Sequence, residues 1–143
     1  MVRAEDWQAR LMAFIDERRE RPFRWGESDC CTFAADAVLA MTGIDPMGAH
    51  RGSYASWPEA AEVIETAGGF RELLASLLGG EVPVLMAMAG DVVMVEAGSV
   101  PGFRNPAAAI VVGELVAAQG QHGIVHIPIA RALAAWRIPM TEG

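Results

Sequence analysis

The apolar pattern of this chain changes its period once, near Gly79 and Gly80, and this change constrains the fold more than any other feature. Before it, apolar residues recur every three or four positions, which is typical of amphipathic helices. After it, they fall into short β-branched runs, which are typical of strands. Helices followed by strands, without alternation, predict an α+β domain with N-terminal helices and then a small antiparallel sheet.

The predicted elements have recognisable ends. Ser56 and Glu59 form a capping box that opens the third helix, and paired glycines close the third and fourth. The second helix is apolar on nearly every side, which favours a central, buried position. The predicted helices span 4–19, 29–41, 56–67 and 70–78. The predicted strands span 92–95, 108–112, 116–119, 124–127 and 136–138. Residues 98–102 have turn composition.

Size and charge exclude several classes of protein. The 143 residues, of which 52% are hydrophobic and 20% charged, suit one folded domain over 1–143. A net charge of −7 argues against nucleic acid as a partner. The longest apolar run, 82–89, contains a proline and is too short to insert into a membrane. Acids near the N-terminus argue against a signal peptide, so we expect synthesis in the cytoplasm.

The two cysteines are neighbours, Cys30 and Cys31, and they lie on the first turn of the predicted second helix. Adjacent cysteines exclude a disulfide framework. The first turn of a helix favours thiolate over thiol, because unpaired N–H groups and the positive end of the dipole lie there. Cys30 is therefore the candidate nucleophile, while Cys31 continues the apolar helix. The alternative is that both thiols only fill space in the core.

Four segments resemble the NlpC-type, papain-like cysteine peptidases that cut peptide stems of bacterial cell walls. In the order of that family they are Trp25-Gly26, Asp29-Cys30, Gly90-Asp91-Val92-Val93 and Ile110-Val111-Val112-Gly113. The resemblance implies a papain-like fold with Cys30 as the nucleophile, peptidoglycan peptides as substrate, and no cofactor or metal. Trp25, Asp29 and Trp57 are candidate walls of the cleft.

Three further segments resemble a short branch of these proteins encoded in tail gene clusters of long-tailed phages and gene transfer agents. They are Thr42-Gly43-Ile44-Asp45-Pro46, Arg51-Gly52-Ser53-Tyr54 and Trp136-Arg137-Ile138. This resemblance implies a bacterial protein at the tail tip or baseplate, with tail hub or baseplate proteins as partners. It also implies incorporation into the virion tail.

One position departs from the family pattern. The resemblance places the catalytic histidine just before the strand at Ile110, and this register puts Ala107 there. Alanine cannot transfer a proton, and loss of a general acid–base removes roughly 10²- to 10⁴-fold of rate. The sequence therefore predicts a degenerate site, whereas an active peptidase or amidase needs a base from elsewhere.

The three histidines of the chain are weak replacements. His126 lies on the strand after the missing position and is the candidate base or orienting residue for Cys30. His122 and His126, on one strand, would be about 13 Å apart, which is too far to share a metal ion. His50 lies in a loop without an obvious catalytic neighbour.

Three hypotheses remain open at the level of sequence. The first is a tail assembly component whose papain-like site has lost its base. The second is an active cysteine peptidase or amidase that cleaves peptidoglycan stem peptides with Cys30. The third is an intracellular thiol protein without peptidase ancestry. Ala107 favours the first over the second, although fold resemblance alone does not settle function.

Overall fold

The computed structural model describes residues 1–96 and 106–141, and within them it contains four helices and a six-stranded sheet. The helices are α1 (Trp7–Arg18), α2 (Cys30–Thr42), α3 (Trp57–Thr66) and α4 (Phe70–Leu78). The strands are β1 (Glu81–Val82), β2 (Val92–Val95), β3 (Ala107–Val111), β4 (Leu115–Gln119), β5 (Ile124–Pro128) and β6 (Ala132–Trp136). The α+β prediction is confirmed. No helix in the described ranges is long and apolar enough to cross a membrane.

The sheet is antiparallel throughout and has the strand order β1-β6-β2-β3-β4-β5. Its two central strands, β2 and β3, pair from Val92 opposite Ile110 to Val95 opposite Ala107. This register puts Ala107 at the end of the β2–β3 ladder. Because β3 packs against α2, the start of β3 is brought toward that helix.

The two faces of the sheet bury different kinds of side chain. One face packs large residues such as Ile110 and Trp136 against Phe14 of α1 and Phe33 of α2. Full burial of each such side chain contributes about 1.5–3 kcal/mol. The other face is built mainly from small alanines and valines, and partly buried Cys30 packs against its cluster. Helix α2 therefore occupies the predicted central position and brings its first residue to the small-residue face.

The last strand and the first were not predicted correctly. The expected strand at 136–138 is wrong, because the strand ends at Trp136 and Arg137 and Ile138 turn toward the carboxylate of Asp91. Strand β1 was missed, since two residues are too few to show a period of two. The turn predicted at 98–102 lies outside the described residues.

Candidate functional site

Asp29 organises the start of α2. Its Oδ1 accepts the Thr32 backbone N–H at 2.9 Å, and the Thr32 hydroxyl accepts the Asp29 N–H at 2.9 Å, which forms a capping box. Its Oδ2 accepts the Gly26 N–H and the Tyr54 hydroxyl, each at 2.8 Å. One buried carboxylate thus fixes the helix start, the loop before it and a distant tyrosine.

Gly26 allows this loop to approach the segment around Tyr54. Its φ is +80°, and a Cβ at this position would lie 2.3 Å from the Tyr54 carbonyl oxygen. A side chain would therefore clash with backbone in a conformation that L-residues rarely adopt. Glycine at position 26 therefore permits the loop conformation in which Trp25 lines the same cavity as the start of α2.

A cavity of about 280 Å³ opens beside the first turn of α2. At one end it is bounded by Asp29, Cys30 and Cys31. The rest of its described wall is aromatic or aliphatic: Trp25, Met47, Tyr54, Trp57, Ala60, Val63, Ile64, Phe70, Leu73 and Pro106. The ring centroids of Trp25 and Trp57 are 5.6 Å apart. The structure thus brings Trp25, Asp29 and Trp57, the three candidate wall residues, together around one cavity.

The two thiols differ in the direction of their pKa shifts. Hydrogen bonding with Cys31 is the largest cause that lowers the pKa of Cys30, and hydrogen bonding with the Ala108 backbone adds to it, although burial and the charge of Asp29 oppose both. Hydrogen bonding with Cys30, together with burial, raises the pKa of Cys31 well above its usual value. Of the two thiols, Cys30 is therefore the one that ionises at the lower pH.

The position expected to carry the catalytic histidine is a buried alanine. Ala107 belongs to the sheet cluster against which Cys30 packs, and the backbone of the next residue, Ala108, contributes to the lowered pKa of Cys30. None of the chain's three histidines is among the described residues that line the cavity. The described wall of the cavity therefore has a thiol of lowered pKa and no imidazole to accept or donate its proton.

His126 does not pair with Cys30 as the sequence suggested. It is exposed on the edge strand β5, which is separated from β3 by β4. It pairs with Ala117, and paired residues of neighbouring strands share a face of the sheet. Ala117 belongs to the large-residue core, whereas Ala107 belongs to the opposite face. Register therefore turns His126 away from the face that Cys30 contacts.

The other histidines lie elsewhere. His122 precedes β5, so the assumption that it shares a strand with His126 is wrong. His50 lines a separate cavity with Glu59 and Glu62. No group of three or more histidine, cysteine or acidic residues within 1–96 and 106–141 is arranged to hold a metal ion.

Sequence reasoning missed most of the cavity wall. Tyr54 bonds to Asp29 across 25 positions of sequence, and α3 and α4 supply much of the apolar wall. The helical period of α3 and α4 predicted that one face of each is buried. The helical period does not predict which cavity or which part of the core the buried faces line.

Asp91 forms a second buried polar cluster. Its Oδ1 accepts from Arg3 at 2.8 Å and from the Ile138 N–H at 3.1 Å. Its Oδ2 accepts from Arg137 at 2.9 Å and from the Met88 N–H at 3.0 Å. Both oxygens are thus engaged, and residues near the two ends of the chain meet at the start of β2. This arrangement indicates a structural role.

Comparison with known proteins relates the whole chain to one family. The family model described as Domain of unknown function (DUF6950) matches residues 2–138. That span includes both buried aspartates, the two cysteines and all six strands. A comparison with curated proteins gives no match.

Proposed function

We propose that this chain, which belongs to the DUF6950 family, is a tail-associated assembly protein of a phage or phage-like particle, at the tail tip or baseplate. In this proposal its fold is papain-like, of the NlpC type, and its thiol site has lost the base. The arrangement of helix α2, with Cys30 at its first position beside an antiparallel sheet, supports that fold. The three sequence segments shared with the tail-encoded branch support that place of action.

The observation that carries the proposal is that Cys30 borders a cavity whose described wall contains no histidine, and that it packs against a sheet cluster in which position 107 is alanine. Peptide hydrolysis by a thiol needs a proton donor for the leaving amine as well as an activated nucleophile. Neither Ala107 nor Cys31, with its raised pKa and its bond to Cys30, is a base for this step. The site supports binding better than cleavage.

The shared segments have structural roles that do not depend on catalysis. Arg51 bonds to Asp45 at 3.0 Å and to Asp36 of α2 at 2.5 Å, which anchors the loop after α2. Tyr54 bonds to Asp29, and Arg137 bonds to Asp91. Each segment therefore holds the scaffold together, which is consistent with a protein that keeps the fold for assembly.

A second candidate function is an active cysteine peptidase or amidase that acts on peptidoglycan stem peptides. The lowered pKa of Cys30 at the edge of a cavity favours it, since a preformed thiolate is the attacking species. The two functions differ in what they require of Cys30. Only cleavage needs the sulfur.

Deletion and complementation in the producing bacterium separate the two candidates. We expect particles made without the protein to have defective tails, and both the wild type and Cys30→Ala to restore them. Purified wild type should release no fragment from isolated stem peptides. Normal infectious particles without the protein would overturn the assembly role. Stem-peptide cleavage that Cys30→Ala abolishes would establish the peptidase instead.

A further inference from the structure

We propose that the cavity beside Cys30 takes the apolar chain of an acyl thioester, and that the Cys30 sulfur accepts the acyl group to form an S-acyl-cysteine. This goes beyond the proposed function, because it assigns a covalent reaction and a substrate class to the cavity. It shares with that function only the absence of a base at Ala107. It does not depend on where the protein acts.

The leaving group decides which acyl compounds a thiolate can use without an acid. An amide must expel an amine, which requires a proton from a nearby donor. A thioester expels a thiolate, whose conjugate acid has a pKa of about 8.5. The thiolate therefore leaves without prior protonation. The missing imidazole therefore removes amides from the substrates of Cys30 and leaves thioesters among them.

The step balances without a co-reactant. The Cys30 thiolate attacks the carbonyl carbon of the thioester, and a bond forms between that carbon and the Cys30 sulfur. The original carbon–sulfur bond breaks, and the donor departs as a thiolate that takes a proton from solvent. The position of Cys30 on the first turn of α2, together with its lowered pKa, favours the thiolate that begins the reaction.

The wall of the cavity selects an apolar acyl chain. Its volume of about 280 Å³ is just below the range of about 300–1,000 Å³ that is typical of ligand pockets, so it suits a small ligand. Asp29 is the one charged residue of the described wall, and both its carboxylate oxygens already accept hydrogen bonds. The described wall thus has no cationic side chain for the carboxylates of a peptide. A medium-length hydrocarbon chain suits this lining.

The adduct should persist. Hydrolysis of an acyl-enzyme needs a base that activates water. The described wall has no histidine, and both oxygens of its one carboxylate, Asp29, already accept hydrogen bonds. The structure therefore favours one stable acylation per chain and disfavours repeated turnover. A histidine at position 107 would supply the missing base.

The test uses the purified full chain and two simple donors, S-octanoyl- and S-acetyl-N-acetylcysteamine, followed by intact-mass and peptide mass spectrometry. Rates are divided by those of each donor with free N-acetylcysteine. We expect one octanoyl group on Cys30, transferred at least about tenfold faster than acetyl, since two buried methylenes suffice for that factor. Cys30→Ala should remove the adduct.

Variants that fill the cavity separate chain binding from thiol reactivity. Ala60→Trp, or Val63→Trp if the buried Ala60 tolerates no large residue, should lose the octanoyl preference and still react with iodoacetamide at Cys30. Ala107→His should shorten the lifetime of the adduct and release octanoate. Equal normalised rates for the two donors, or a Cys30 that iodoacetamide labels and octanoyl thioester does not, would overturn the inference. The complementation result for tails is independent of either outcome.

Discussion

Asp29 and Asp91 both have buried carboxylates, and the two carboxylates differ in their hydrogen-bond partners. Asp91 bonds to two arginines and two backbone N–H groups, and it joins segments from both ends of the chain. Asp29 bonds to neutral donors only, and the thiols next to it border a cavity. Asp91, which is paired with two arginines, therefore holds distant segments together, whereas Asp29, which has neutral partners only, positions the thiols that follow it.

Asp91→Ala should have the largest effect on stability. It leaves the fully buried guanidinium of Arg3 without its carboxylate, and breaking a buried ion pair in this way costs about 3–5 kcal/mol. Urea denaturation followed by circular dichroism measures the loss. Glu81→Gln is the control, because it breaks the exposed ion pair between Arg71 and Glu81 of strand β1 and should change the free energy of unfolding little. Similar losses in both variants would contradict a special role for Asp91.

Asp29→Ala should destabilise less, by about 2 kcal/mol, because it removes an N-cap and leaves neutral donors without an acceptor. Ser56→Ala, which removes the cap of α3, should cost about 1 kcal/mol or less. The same denaturation experiment gives both values. If Asp29→Ala lowers the free energy of unfolding as much as Asp91→Ala does, the two carboxylates contribute equally to stability and do not differ in the way proposed.

The hydroxyl of Tyr54 gives a third, smaller effect that depends on pH. Burial, together with the nearby Asp29, raises the pKa of Tyr54, so the phenol stays protonated in the folded state. Tyr54 is the only tyrosine of the chain, so phenolate absorbance reports it alone. In the unfolded chain the phenol of Tyr54 ionises at about pH 10. Stability should thus fall above that pH by up to about 1.4 kcal/mol per unit.

Tyr54→Phe is the control for this pH effect. It should cost about 1 kcal/mol at neutral pH, from the lost hydrogen bond to Asp29, and it should remove the extra alkaline slope. A tyrosine that titrates reversibly near its usual pKa, without unfolding, would show that Tyr54 is not held in this bond.

Local signals in the sequence were sufficient to predict the helices and to place the two thiols at the start of α2. The capping box at Ser56 predicted the start of α3, since capping depends on residues within one turn. The β-branched run at 92–95 matched β2 residue for residue. The same locality explains why Cys30, at the first position of its helix, was identified as the ionisable thiol.

Contacts between distant segments could not be predicted in this way. Arg3 and Asp91 are 88 residues apart, and no period or motif connects them. The face on which His126 lies depends on the pairing of β4 with β5, and a shift of one residue would reverse it. The apolar wall from α3 and α4 needed the packing of two helices around Cys30. The register of the strands and the packing of the helices, which sequence patterns do not predict, therefore determine which residues form the site.

The smallest effect concerns the two thiols themselves. Because the hydrogen bond from Cys31 is the largest cause of the lowered pKa of Cys30, Cys31→Ala should raise that pKa. The rate of iodoacetamide alkylation at Cys30, followed against pH by mass spectrometry, should then reach its half-maximum at a higher pH than in the wild type. Cys31→Ser is the matched control, since its hydroxyl can still donate to the Cys30 sulfur and should keep most of the shift. An unchanged profile in Cys31→Ala would leave the Ala108 N–H and the helix dipole as the groups that stabilise the thiolate. The first turn of α2 would then activate Cys30 without its neighbour and against the charge of Asp29.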